Sequence, residues 1–212
     1  MSKAIFFDLD GTLTDSGEGI INCAAFALET LGLDVPDRVT MRCFVGPPLR
    51  DTFMKFGVRE DQTEEAIRIY RSRYLPIGKY ENKPYPGVIE LLERLRAEGH
   101  HLYVATSKPE STAMDVMNHF DIAKYFTLIC GATMDGSREE KSQVIAYLLS
   151  LIDSPSQAIM VGDTAFDVTG AAAHGIPTIG VSWGYGSVED MERSGAIGIA
   201  HTMDELYEML TK

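Results

Sequence analysis

Apolar residues follow two different rhythms along this chain. Ala4-Ile5-Phe6-Phe7 is a short apolar run closed by Asp8, and its length and aromatic content predict a buried strand. From Ser16 to about Gly78 the rhythm is helical. Ile20, Cys23, Ala24, Ala27, Leu28 and Leu31 recur at i, i+3, i+4 spacing, and Gly32 stops the run. Val45-Gly46-Pro47-Pro48 reads as a loop, Leu49 to Phe56 as a short helix and Gln62 to about Leu75 as a longer one. From Pro86 the pattern becomes strand–helix alternation. A helix over Val88 to Ala97 ends at Gly99, and a strand follows over His101 to Thr106. Pro109 fits the first position of a helix running to about Phe120. Then come a strand over Phe126 to Gly131, a helix over Glu139 to Leu151, a strand over Ala158 to Val161 and a helix over Thr164 to His174, stopped by Gly175. A strand over Thr178 to Val181, a short helix over Val188 to Arg193, a short strand over Ile197 to Ala200 and a helix from about Met203 complete the pattern.

Alternating strands and helices imply right-handed crossovers and a doubly wound parallel sheet covered on both faces, an α/β fold. The wholly helical stretch breaks that rhythm and reads as an insertion after the first strand. Its joints are the turn-rich Thr14-Asp15-Ser16-Gly17 and the segment from Gly78 to Pro86. The expected organisation is an α/β core made of residues 1–15 and 81–212, with a helical unit of residues 16–80. A length of 212 residues accommodates one such domain with one insertion.

The formal net charge of −12 disfavours a nucleic-acid or membrane-surface partner, which would call for a basic face. It suits a site that gathers carboxylates around a cation, although solvated acidic surface accounts for most such charge. Cys23, Cys43 and Cys130 are widely spaced and odd in number, so neither a disulfide framework nor a structural zinc site is expected, and a reducing cytoplasm is the expected location. No apolar run approaches a membrane span, and Ala4 to Leu9 is too short for a signal segment. The five histidines share no metal-ligand spacing and none is assigned to catalysis.

In open parallel sheets ligands bind beyond the carboxyl ends of the strands. Asp8-Leu9-Asp10-Gly11-Thr12 follows the first predicted strand, Thr106-Ser107-Lys108 the second, and Gly162-Asp163 with Asp167 the strand at Ala158 to Val161. Asp8 and Asp10, two apart, fall on one side of extended backbone. Two like charges held close need a counter-ion, or one stays protonated. Mg2+ meets that need with oxygen ligands, leaving one carboxylate to attack and the other to handle protons. A calcium loop is the rival reading. Its glycine would fall at the sixth position, not the fourth, and Gly19 stands where its glutamate belongs. Asp163 and Asp167, four apart at a helix start, are by themselves better explained as capping acids. Together with Asp8 and Asp10 they favour a cation. Thr106 or Ser107 offers a hydroxyl to a phosphoryl oxygen, though Ser107 alone reads as a turn former before Pro109. Lys141 opens a helix, where the dipole disfavours a cation, and this misfit points to charge neutralisation elsewhere.

Taken together, Asp8-Leu9-Asp10-Gly11-Thr12-Leu13-Thr14-Asp15-Ser16, Val104-Ala105-Thr106-Ser107-Lys108, Lys141 and Val161-Gly162-Asp163-Thr164-Ala165-Phe166-Asp167 resemble the haloacid dehalogenase-like hydrolase superfamily, in its order and over nearly the whole chain. The resemblance implies a Rossmann-like core with an inserted helical cap that closes over substrate. It implies Asp8 as nucleophile and Asp10 as general acid/base, whose backbone carbonyl binds Mg2+. It further implies Thr106 and Ser107 as phosphate-binding hydroxyls, Lys141 as the phosphoryl-steadying cation, and Asp163 with Asp167 as metal residues. The acid at Asp10 points within the superfamily to a phosphatase or a phosphomutase. Gly46-Pro47-Pro48-Leu49 and Ser182-Trp183-Gly184-Tyr185-Gly186 resemble the phosphoglycolate phosphatase branch. Lys141 departs from the family's Lys-Pro pattern, being followed by Ser142, which leaves Lys108 as a second candidate for its role. The expected reaction is Mg2+-dependent hydrolysis of a small phosphomonoester through an aspartyl phosphate, with phosphoglycolate the first substrate. Nucleotides, sugar phosphates and a β-phosphoglucomutase-like transfer are the alternatives. Arg50, just after the Gly46 to Leu49 loop, is expected to contact the far end of the substrate, since an arginine suits a carboxylate or second phosphate.

Overall fold

The computed structural model describes residues 2–153, 155 and 157–212. Its strands β1 (Ala4–Phe7), β2 (His101–Pro109), β3 (Leu128–Ala132), β4 (Ala158–Gly162), β5 (Thr178–Val181) and β6 (Gly198–Ala200) form one parallel sheet in the order β3-β2-β1-β4-β5-β6. That is the doubly wound order, with the chain reversing its direction of winding beside β1. β1 is buried along its whole length because it is covered on both faces, and its side chains alternate between two cores. Ile5 and Phe7 pack with Leu91, Leu92 and Leu95 of α4 (Val88–Ala97) and with Leu206 and Leu210 of α9 (Met203–Thr211). Ala4 and Phe6 face the other way, against Val144, Ile145 and Leu148 of α6 (Lys141–Leu151) and Ala171 of α7 (Ala165–Ala172). Helices α5 (Glu110–His119) and α8 (Val188–Arg193) complete the layers.

The register of the sheet decides where the chemistry lies. Phe7 pairs with Val104 on one side and Val161 on the other. The residues that follow these three, from Asp8, Ala105 and Gly162 onward, therefore emerge at one edge.

The stretch after β1 is helical, as its rhythm predicts: α1 (Gly17–Thr30), a 3-10 turn (Thr40–Phe44), α2 (Leu49–Lys55) and α3 (Thr63–Tyr74). Ile20, Ala24, Ala27 and Leu28 of α1 meet Ala66, Ile69 and Tyr70 of α3 in a core of their own. Phe53 sits in its middle, fully buried, edge-on to Phe44 with ring centroids 5.1 Å apart. The chain leaves and re-enters the sheet region through paired backbone. Asp15 N donates to Lys83 O at 2.7 Å, and Tyr85 N to Leu13 O at 3.0 Å. Arg73 and Glu81 brace the returning segment through a 2.7 Å ion pair.

Several boundaries differ from the sequence reading. Pro109 does not open α5. It ends β2, pairs with Ala132 of β3 and caps the helix with ψ 130°, so Glu110 is the first helical residue. The cause is a register shift between Thr106 and Pro109 that keeps the strand going beside Gly131, where a Cβ would lie 2.5 Å from the Lys108 carbonyl oxygen. α6 starts at Lys141 rather than Glu139, because Glu140 and Gln143 form a capping box. α7 is shorter than the predicted helix: Thr164 is its cap and the chain leaves it after Ala172. Phe126 and Ile197 precede β3 and β6 instead of opening them.

Phe53→Ala is expected to lower the unfolding free energy by about 3–5 kcal/mol, the cost of emptying a filled aromatic site. Urea denaturation measures it. A loss under about 1 kcal/mol would show that this helical core is not packed around the ring.

Candidate active site

Asp8 directly follows β1, its amide donating to Val161 O at 2.9 Å, so the backbone of β4 fixes its position. Beyond it the chain coils back on one acceptor. Leu13 N and Thr14 N both donate to Leu9 O, at 2.9 and 3.0 Å. This tight turn needs the left-handed backbone of Gly11, whose φ is 84°. Gly11 is also required by space, since a Cβ there would lie 2.2 Å from the Asp163 carboxylate. Asp163 is thereby held between the turn after Asp8 and the segment carrying Tyr185. Thr12 Oγ1 donates to its Oδ1 at 3.3 Å and Tyr185 N to its Oδ2 at 2.8 Å. Gly184 supplies a second bare surface against it, where a Cβ would come within 2.3 Å.

Asp163 stands just ahead of the helix, because Thr164 is the cap and the helix begins after it. Asp167, at the third helical position, has two tasks. Its Oδ2 accepts from Thr164 N at 3.0 Å and from Thr164 Oγ1 at 2.8 Å, while Oδ1 faces Lys141 at 2.8 Å. That Oδ1 is fully buried and, despite the charge contact, is not aligned for a hydrogen bond.

Lys141 lies at the centre. Its Nζ donates to Asp8 Oδ1 at 2.7 Å and to Ala105 O at 2.8 Å, and its stem passes over Gly170, which has no side chain to block it. Burial alone would lower its pKa. The carboxylates of Asp167 and Asp8 more than offset this, and the ammonium is held above its ordinary range. Lys108, the alternative candidate, is engaged elsewhere: its Nζ meets Asp10 Oδ1 at 2.5 Å and lies 5.4 Å from the centre of the Tyr74 ring.

Ligand oxygens of Asp8, Asp163 and Asp167 lie within 4.8 Å of one another, all three residues buried. Burial, with the neighbouring carboxylates, pushes Asp8 up to about 6 and Asp163 up to about 8, Lys141 opposing the rise at Asp8. An all-oxygen set with a buried oxygen lacking a hydrogen bond fits a hard divalent cation such as Mg2+. The carboxylate of Asp10 lies outside this group, turned to Lys108.

A cavity of about 390 Å³ opens over this edge and is lined by Asp8, Asp10, Thr106, Ser107, Lys141 and Asp167 below. Thr106 Oγ1 accepts from Lys108 N at 3.2 Å, which leaves its own proton available. Phe44, Gly46, Ile67, Tyr70, Arg71 and Tyr74 from the helical stretch roof the cavity. Arg50 also lines it, but its guanidinium is held by Thr63 Oγ1 at 2.8 Å and by Glu64. The expected reach of Arg50 to substrate is therefore opposed by an existing partner on its own helical unit. The Lys108–Asp10 pair, the glycines around Asp163 and the α3 lining were not read from the sequence. Gly184 and Gly186 flanking Tyr185 were the available signal for the second of these.

Fold and site together define a doubly wound α/β enzyme of hydrolytic type. The chain belongs to the haloacid dehalogenase-like hydrolase family, whose model matches residues 5–181. It is 44% identical over 211 residues to the tyrosine-protein kinase PtkA of Mycobacterium tuberculosis, spanning 98% of this chain and 72% of that protein. It is 44% identical over 192 residues to a 5'-nucleotidase of Pseudomonas aeruginosa, covering 88% of this chain and 86% of that one. A phosphoglycolate phosphatase of Aquifex aeolicus is 31% identical, with 86% of each chain covered. Among solved structures, one described as a "predicted phosphatase" from Clostridium acetobutylicum superimposes with a TM-score of 0.95 at 40% identity, covering 100% of this chain and 99% of the other.

Raised carboxyl pKa values carry a stability consequence. Between the unfolded value of 3.8 and the folded values of about 6 and 8, the folded state binds more protons than the unfolded one. Stability therefore falls as pH rises through that window. In metal-free buffer the thermal midpoint should drop between about pH 6 and 8, where folded Asp163 still holds a proton that the unfolded chain has lost, and Asp163→Asn should flatten the drop. A wild-type midpoint that rises over this range would contradict the assignment.

Proposed function

We propose that this protein is a Mg2+-dependent phosphatase that hydrolyses small phosphomonoesters through a phosphorylated Asp8. The observation that carries the reading is the meeting of Asp8, Asp163 and Asp167 oxygens within 4.8 Å, with a buried lysine between two of them, at the carboxyl edge of the sheet.

Asp8, Asp163 and Asp167 would hold the ion, with the backbone carbonyl of Asp10, and the bound ion supplies charge neutralisation for the phosphoryl oxygens. Asp8 Oδ1 is occupied by Lys141, so Oδ2 is the oxygen that attacks phosphorus in line with the leaving alcohol. Thr106 and Ser107 donate hydroxyl hydrogen bonds to the phosphoryl group, and Lys141 holds its developing charge. Asp10 gives a proton to the leaving oxygen, then takes one from the water that cleaves the aspartyl phosphate. Lys108 Nζ, 2.5 Å from Asp10 Oδ1, holds that oxygen in the resting arrangement. The first step needs this contact loosened, and an incoming phosphoryl dianion draws the lysine toward itself.

The helical unit of residues 16–80 serves as a lid over the edge, excluding water while phosphate transfers. Phosphoglycolate remains the first candidate substrate. Nucleoside 5'-monophosphates are the second reading, supported by the Pseudomonas relative and by the Phe44, Tyr70 and Tyr74 rings in the roof. The same phosphorylated aspartate can hand its phosphoryl group to an alcohol or a phenol instead of water, as a mutase or a kinase requires. Release of inorganic phosphate separates hydrolysis from such transfers. Buried Cys23 and Cys130, with exposed Cys43, are unpaired thiols, which suits a cytoplasmic setting. Among the described residues no helix is long and apolar enough to cross a membrane.

Asp8→Asn should lower turnover of any accepted phosphomonoester by roughly four orders of magnitude or more, since neither carboxylate nor its charge remains to attack. Near-normal phosphate release by that variant would refute the nucleophile assignment. Treatment with a chelator should abolish phosphate release and added Mg2+ should restore it. Full activity in chelator would remove the metal from the reading.

A further inference from the structure

One face of α3 is turned to the cavity. Ile67, Tyr70, Arg71 and Tyr74, at i, i+3, i+4, i+7 spacing, all line it. Arg71 is the charged member of those four; Glu64, near the start of the same helix, also lines the cavity and is paired with Arg50. Four cationic side chains line the cavity, and three have carboxylate partners: Arg50 has Glu64, Lys108 has Asp10, and Lys141 has Asp8 and Asp167. Arg71, half-buried, has no side-chain hydrogen bond and no ion pair among the described residues. In a chain of net charge −12, acids are abundant, and an arginine left without one beside a cavity is an exception.

A bland explanation exists. Arg71 stands in the last turn of α3, where a cation suits the helix dipole. Arg73 occupies the same turn, however, and is paired with Glu81. A dipole role asks only for a charge near the helix end and does not require it to line the cavity.

We propose that Arg71 is a specificity-determining residue that binds a second anionic group, a carboxylate or a phosphate, on the alcohol portion of the substrate. The proposal rests on the phosphatase reading above and transfers to Arg71 the task that the sequence pointed to in Arg50. The guanidinium fork matches both anions in bidentate geometry. Its position on the roof sets it against the part of the substrate that extends from the phosphoryl site at Asp8 and Lys141 below. Its unpaired charge also offsets the repulsion that an acidic protein exerts on an anionic ester.

The test uses the purified full chain and three esters on one two-carbon frame: 2-phosphoglycolate, ethylene glycol bisphosphate and neutral-ended 2-hydroxyethyl phosphate. Wild-type enzyme should prefer at least one of the anionic esters. Arg71→Gln should lower kcat/KM for the preferred one by roughly ten- to a hundredfold, the worth of a charged hydrogen-bonded contact, mainly through KM. The neutral ester should change by less than about twofold, and Arg71→Lys should recover part of the loss. Whichever anionic ester shows the effect identifies the anion. Equal losses on neutral and anionic esters, no loss on any, or a wild-type enzyme without preference for either anionic ester would overturn the proposal. A wild-type enzyme that hydrolyses no phosphomonoester would instead overturn the phosphatase reading, a failure visible without any variant.

Discussion

A buried ammonium between two buried carboxylates is the constraint on which this edge of the molecule depends. Lys141, Asp8 and Asp167 have side chains at most 9% exposed, and the lysine stands 2.7 and 2.8 Å from the two acids. None of the three is tolerable alone at such burial, because an unpaired charge away from water costs several kcal/mol. Even the trio leaves a deficit of positive charge, since Asp163 adds a third acid within 4.8 Å of the others. The trio is thus weak as a device for stability: the charges stay close and under-compensated.

That arrangement requires close approach, which the sequence secures by leaving side chains out. Gly11 and Gly184 face the Asp163 carboxylate, Gly162 faces that of Asp167, and Gly170 faces the stem of Lys141. At each, a Cβ would come within 2.7 Å of its neighbour. The parallel register then places groups from β1, β2 and β4 side by side without any loop having to search for them. Sheet geometry and missing side chains together do what no single motif does.

The fold was legible because its signals are periodic. Ala4 to Phe7 as a buried strand, the helical spacing from Ile20 to Leu31 and the later alternation all survive in the structure, as does the parallel doubly wound order. Asp8, Asp163, Asp167 and Lys141 were legible because each stands where a strand or helix begins or ends, and the structure brings all four together. The end of β2 was not, since Pro109 meets the requirements of both a helix start and a strand end, and only its pairing with Ala132 decides between them. The partner of Arg50 was not legible for a related reason. Its place after a loop is a local fact, but its partner Glu64 lies on the next helix, and no local pattern reveals a tertiary ion pair. Arg71 escaped notice because the helical period that puts it with Tyr70 and Tyr74 also makes it look like ordinary last-turn charge.

The segment Trp183 to Gly186 shows how the two units share one frame. Trp183 Nε1 donates to Thr12 O at 3.1 Å, inside the turn that follows Asp8. Tyr185 holds Asp163 through its backbone N–H, while its hydroxyl accepts from Gly17 N at 2.9 Å and bonds Asp15, at the joint where the helical stretch begins. Gly17 is again a residue that has to be bare, for a Cβ would fall 2.3 Å from that hydroxyl. Arg42 of the helical unit reaches back, donating to Gly184 O at 3.3 Å and lying 5.1 Å from the centre of the Tyr185 ring. One short loop therefore touches a carboxylate of the site, the turn carrying Asp10, the joint and the roof. Contacts that hold Asp163 thus also reach the joint where the helical stretch begins and Arg42 within that stretch.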